Sequence, residues 1–159
     1  MTAPLHYEDF AVGQTFESAP TEITRDRIVE FAREFDPQPQ HLDEASAAHS
    51  HFGTLVASGW HTGALTMRLQ LDAMFHRIPG GAMGAQLDRV AWKRPVLPGD
   101  RLRAVIEVLA MRSSRSRPQH GLLTLRTTTL NGRDEVVMEM QAAVLVPRRD
   151  GPGAKQGVN

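Results

Sequence analysis

Asp36 and His41 are the two side chains of this sequence best placed to move a proton together. They bracket the stretch Asp36-Pro37-Gln38-Pro39-Gln40-His41. A proline disfavours the helical region for the residue before it, so Asp36 and Gln38 are expected to be extended and the loop stiff. A stiff loop on a rigid scaffold is a common seat for catalytic groups. The carboxylate can accept a proton and the imidazole can pass one on, and the spacing lets both face one water molecule. Spacing alone also allows a plainer reading, in which Asp36 caps the following helix and His41 lies on the surface.

Ala57-Ser58-Gly59-Trp60-His61 opens a second candidate. Ser58 suits the N-cap of a helix, whose first N–H groups are unpaired and lie at the positive end of the dipole. Glycine at position 59 would let a ligand approach that backbone closely. Such a donor stabilises an enolate oxygen, as an oxyanion hole does. The alternative is that Gly59 is only a close-packing residue beside the cap. His41, His49, His51 and His61 form a third cluster, but His49-x-His51 without a carboxylate at ligand spacing is a poor zinc site. No metal is expected. The sequence has no Gly-x-Ser-x-Gly elbow, no phosphate-binding glycine loop and no cysteine, which excludes thiolate chemistry and disulfides.

These groups need elements to hold them. Thr24 is a plausible N-cap, and Ile28, Phe31, Ala32 and Phe35 follow at helical spacing, ending at Asp36-Pro37. A short helix over about Asp43 to His49 is expected next. From Gly59 to Phe75 the apolar residues surround the whole helix, the mark of a buried one. Pro79-Gly80-Gly81 stops it. Beyond that the period changes to two. Strands are expected over about Ala82 to Trp92, through Leu102, Ala104, Ile106 and Val108, through Leu123, Leu125 and Thr127, and from Val136 to Val146. Asn131-Gly132 marks a tight hairpin between the last two. A short first strand covers Thr15 to Ser18. The expected fold class is α+β: an antiparallel four-strand meander, led by that short strand, wrapped around one long central helix, the hot-dog arrangement. One domain over residues 1–147 is expected, with 148–159 as a flexible polar tail.

Bulk composition excludes several functions. Hydrophobic residues are 41% of the chain and charged residues 23%, with eighteen of each sign and no net charge. That balance attracts neither nucleic acid nor an anionic membrane. No apolar run approaches a signal peptide or a membrane span, so the default location is the cytoplasm.

The sequence resembles the MaoC-like dehydratases, a family that includes the R-specific enoyl-CoA hydratases. The family signature Asp-x-Asn-Pro-x-His stands here as Asp36-Pro37-Gln38-Pro39-Gln40-His41. Phe52-Gly53 with Ala57-Ser58-Gly59-Trp60-His61-Thr62 resembles the start of the family's central helix, and Val90-Ala91-Trp92-Lys93-Arg94-Pro95-Val96-Leu97-Pro98-Gly99-Asp100 its strand and turn before the meander. The resemblance implies hydration or dehydration of an acyl thioester, of the 2-enoyl-CoA to 3-hydroxyacyl-CoA type. It implies Asp36 and His41 as the groups activating water and the Gly59 N–H as oxyanion donor. Gln38, Ser58, Trp60 and His61 would lie against substrate. Gln38 departs from the family asparagine by one methylene. No cofactor is implied beyond the CoA or acyl carrier of the substrate. A homodimer or higher homo-oligomer is implied, with the CoA arm against the partner. A hot-dog thioesterase and a non-catalytic acyl-CoA-binding module are the competing readings.

Overall fold

A computed structural model describes residues 3–150. Four helices form before the main sheet. They are α1 (Arg25–Phe35), α2 (Pro39–Leu42), α3 (Glu44–Ala47) and α4 (Gly59–Ala73). The strands are β1 (Thr15–Glu17), β2 (Thr21–Glu22), β3 (Met83–Trp92), β4 (Arg101–Ser113), β5 (His120–Leu130) and β6 (Val136–Pro147). The sheet runs β1-β4-β5-β6-β3 with every pairing antiparallel, and β2 adds to β4. Helix α4 packs against the sheet, the expected hot-dog arrangement. No helix among the described residues is long and apolar enough to cross a membrane.

The expected four-strand meander is only partly formed. β4, β5 and β6 follow one another, but β3 pairs with β6 and not with β4. The cause lies in the segment from Lys93 to Asp100. Its backbone is spent elsewhere: Ala57 N–H donates to the Val96 carbonyl, Ile23 N–H to Asp100, and Gly99 N–H to Ile23. A segment committed to the starts of α1 and α4 cannot also close a β3–β4 hairpin. The turn at Asn131 also differs from a two-residue hairpin. Asn131 Oδ1 accepts from the N–H groups of Arg133 and Glu135, and the positive φ falls on Asp134, not on Gly132.

Two features of the core bear on function. In β4, Leu102, Ala104, Ile106 and Val108 are all fully buried, as their alternation implies. In β6 the alternation breaks because Val137 is an extra residue, with Leu130 opposite Val136 and Thr129 opposite Met138. The freed Val137 carbonyl accepts from Lys93 and Arg94, which pins the exit of β3.

Helix α4 is not buried all round. Its inner face carries His61, Thr62, Leu65, Thr66, Leu69 and Gln70, while Trp60, Met67 and Leu71 are 63%, 52% and 42% exposed. It ends at Ala73, two residues earlier than expected. The break there lets Met74, Phe75 and Ile78 all enter the core, which one straight helix face could not manage. Phe35 is likewise exposed, since the inner face of α1 is Ile28, Val29 and Ala32. Arg148 and Arg149 are tied to Glu8, Asp9 and Ser113, so the chain is held to that point. The remainder of the expected tail lies outside the described residues.

Candidate functional site

Thr24 caps α1 through Arg27 N–H, and Asp36 closes its other end, donating its N–H to Ala32. Asp36 and Gln38 are both off the helical region, as their prolines require. The stretch is not loop throughout, however. Pro39 opens the one-turn helix α2, because proline suits a first helical position, and His41 rides on that turn. The short helix expected after it shrinks to α3, capped by Asp43.

The turn brings the two groups together. His41 Nε2 lies 3.5 Å from Asp36 Oδ2. The imidazole is 5% exposed, and its Nδ1 stands 2.7 Å from the Val56 carbonyl. A carbonyl can only accept, so Nδ1 carries the hydrogen and Nε2 of the neutral ring presents its lone pair. The Gln40 amide nitrogen lies 3.4 Å from that Nε2 and donates to Gln38 Oε1 at 3.2 Å. Gln38 in turn donates to Asp36 Oδ1 at 2.7 Å, so the longer side chain still reaches the carboxylate. Ser58 donates to Asp36 Oδ2 at 2.6 Å. Burial pushes the Asp36 carboxyl up, but hydrogen bonds from Ser58 and Gln38 and the neighbouring His41 outweigh it, and the net effect lowers its pKa from the ordinary aspartate value. Asp36 is therefore a carboxylate at neutral pH.

Ser58 does two jobs. Its hydroxyl holds Asp36 and also accepts from Trp60 N–H as the N-cap of α4. The next residue, Gly59, has an N–H with no protein acceptor among the described residues. Its carbonyl accepts from Trp92 Nε1 at 2.8 Å. A Cβ at position 59 would stand 2.8 Å from the Trp92 ring, so only glycine leaves this backbone free beneath the indole. Trp60 meets Trp92 edge to face at 5.2 Å.

Asp36, Gln38, His41, Ser58, Gly59 and Trp60 line one cavity of about 460 Å³, a size typical of small-molecule sites. His61 does not. It is 6% exposed and stacks on Phe31 at 4.7 Å, joining α4 to α1, and its Nδ1 has no partner. His49 bonds the Ala45 carbonyl, and His51 packs edge-on against Phe52. Sequence reasoning did not single out Gln40, Val56, Trp92 or Lys93, which also line the cavity. The Val56 contact is made by backbone, and no residue type signals it.

Burial depresses the His61 pKa from 6.5 to about 4, with Arg27 adding to the effect. The unfolded chain then binds the proton first, so stability is full above about pH 6.5 and falls as pH drops towards 4. The shift corresponds to on the order of 3 kcal/mol at the acid end. His61→Phe is expected to remove that part of the slope in urea melts taken across this range. An unchanged slope would assign it to other groups.

A family model described as MaoC like domain matches residues 9–131. A crystal structure of a MaoC-like dehydratase from Rhodospirillum rubrum superposes with a TM-score of 0.85 at 47% identity, covering 91% of this chain and 98% of that one. An uncharacterized Bacillus subtilis protein, YdeM, is 33% identical over 89% of this chain and 98% of its own. A 3-hydroxybutyryl-CoA dehydratase from Methylorubrum extorquens is 31% identical over 92% of this chain and 87% of its own.

Proposed function

The chain belongs to the MaoC-like domain family, and on that premise we propose that it adds water to a 2-enoyl thioester, or removes water from the 3-hydroxyacyl product. The observation that carries this reading is the facing of two proton acceptors, Asp36 Oδ2 and His41 Nε2, at 3.5 Å beside the unpaired Gly59 N–H. A water donating one hydrogen to each acceptor points its lone pair at a substrate carbon. As its oxygen bonds to the β-carbon, the double-bond electrons move to the thioester oxygen, where the Gly59 N–H receives the charge. The water's proton passes to one of the pair, which returns it to the α-carbon. Atoms balance with net gain of one water, and the thioester is untouched. The dehydratase name of the Methylorubrum relative accords with this chemistry.

The reaction is separated from thioester hydrolysis by two readings on one sample. With crotonyl-CoA the enoyl absorbance should fall while no free thiol appears. Thiol release matching the absorbance loss would instead make the protein a thioesterase.

We further propose that a second copy covers the β3 edge. Met83, Leu87 and Trp92 are exposed on β3 and Trp60, Met67 and Leu71 on α4; Trp92 meets Trp60, and Leu87 lies around one cavity with Met67 and Leu71. Asp88 and Arg89 stand near the middle of β3. Neither residue has an ion-pair partner among the described residues. Sedimentation should give a dimer for the natural chain and a monomer for Leu87→Asp. A wild-type monomer at micromolar concentration would refute this.

A further inference from the structure

A second cavity, of about 560 Å³, lies between the later turns of α4, the start of β3 and the middle of β6. Its walls are mostly apolar: Met67, Leu71, Phe75, Leu87, Met140 and Ala142. Gln70 is the exception. It is 3% exposed and lines the cavity. Its Oε1 accepts from Thr127 at 3.2 Å, but its amide nitrogen meets only the Met140 sulfur, at 3.8 Å, among the described residues. A thioether is a weak acceptor, so a buried amide donor is left close to unpaired. Leaving such a donor unpaired costs folding free energy, which a ligand acceptor would recover.

The two cavities share α4. Gly59 and Gln70 stand about 16 Å apart along its axis, and the Gln70 side chain leans back towards the N-terminus. Between them the helix shows Gly63. The nearest group to a Cβ there would be the Met138 methyl, at 3.8 Å. Methionine side chains yield readily to a passing chain. At roughly 1.3 Å of advance per carbon, the span suits an acyl group of about ten to twelve carbons.

We infer that this cavity takes the far end of a medium-chain acyl group carrying an oxygen acceptor, such as a hydroxyl or carbonyl, which the Gln70 amide recognises. The inference rests on the acyl-thioester reading above and names its substrate class.

Binding of saturated acyl-CoAs tests it, because these ligands occupy the site without turnover. Tryptophan fluorescence, with Trp60 and Trp92 at the first cavity, or calorimetry gives the Kd of butyryl-, decanoyl- and 10-hydroxydecanoyl-CoA. Burial strengthens binding about four-fold per methylene, so decanoyl-CoA should bind at least ~30-fold more tightly than butyryl-CoA. A smaller ratio overturns the assignment of the cavity. On the natural protein the hydroxylated chain should bind within about three-fold of the plain one. With Gln70→Leu it should fall about ten-fold or more behind, because its hydroxyl is then buried unpaired. A ten-fold deficit already present in the natural protein, or no change in Gln70→Leu, overturns the role of Gln70. Should that variant not fold, the natural protein's two ratios decide. Crotonyl-CoA hydration without chain-length preference in binding would leave the reaction standing and sink this inference. The preference without hydration of any enoyl thioester would do the reverse.

Discussion

Asp36→Asn should lower kcat for crotonyl-CoA hydration by about three orders of magnitude, with little change in the melting temperature. Asparagine keeps the shape and can still accept from Ser58, but it cannot take a proton. Loss of one well-placed acid–base group costs on the order of 10²–10⁴ in rate. The carboxylate is partly desolvated and held by Ser58 and Gln38, so removing its charge relieves a burial cost while weakening two hydrogen bonds, and the effects oppose. Ser58→Ala makes the contrast. It leaves the carboxylate but removes its 2.6 Å partner and the α4 cap, so stability should drop by about 1 kcal/mol and rate by less than in Asp36→Asn. Measured kcat and thermal melts on both variants check the ordering. Asp36→Asn retaining more than about a tenth of the rate would remove Asp36 from the reaction.

Gly121→Ala should be strongly destabilising while leaving the specific activity of the folded fraction intact. The Tyr7 ring lies directly over Gly121, where any Cβ would collide with it. Arg148 also stacks on that ring at 4.8 Å, so a shift of Tyr7 would disturb this contact as well. Overpacking of this kind costs about 1–3 kcal/mol, or roughly 2–12 °C in melting temperature for a chain of this size. Gly121 pairs with Val146 at the end of the sheet where Met83 pairs with Leu145. The site lies at the opposite end, beside Trp92. Tyr7→Ala in the same chain should recover part of the Gly121→Ala loss, because the colliding ring is gone. Full additivity of the two would mean that Tyr7 is not what Gly121 accommodates.

The pair at the centre of the site was legible because its cause is local. Two prolines fix the backbone around Asp36 and Gln38, and a serine followed by glycine at a helix start advertises a free N–H. The bond that sets the His41 tautomer was not legible, since Val56 supplies a carbonyl and every residue has one. The role of Trp92 was hidden for a different reason. Its indole closes over Gly59 only because β3 pairs with β6, and the sequence order suggested a plain meander. The commitments of the Lys93 to Asp100 backbone, not any side-chain pattern, decide that crossover. Helix α4 misled most. Its polar residues Thr62, Thr66 and Gln70 face inward, where Thr66 bonds Thr129 and Gln70 accepts from Thr127, while Trp60, Met67 and Leu71 face out. Periodicity counts apolar residues and cannot tell which face a polar ladder claims.

The most direct test is the reaction run with crotonyl-CoA in deuterated water, with the product examined by mass and NMR. Expected is 3-hydroxybutyryl-CoA with the thioester intact and a single deuterium on the α-carbon, formed about a thousand-fold more slowly with Asp36→Asn. Free CoA and crotonate as the products, or unreacted crotonyl-CoA on the natural protein, would contradict it.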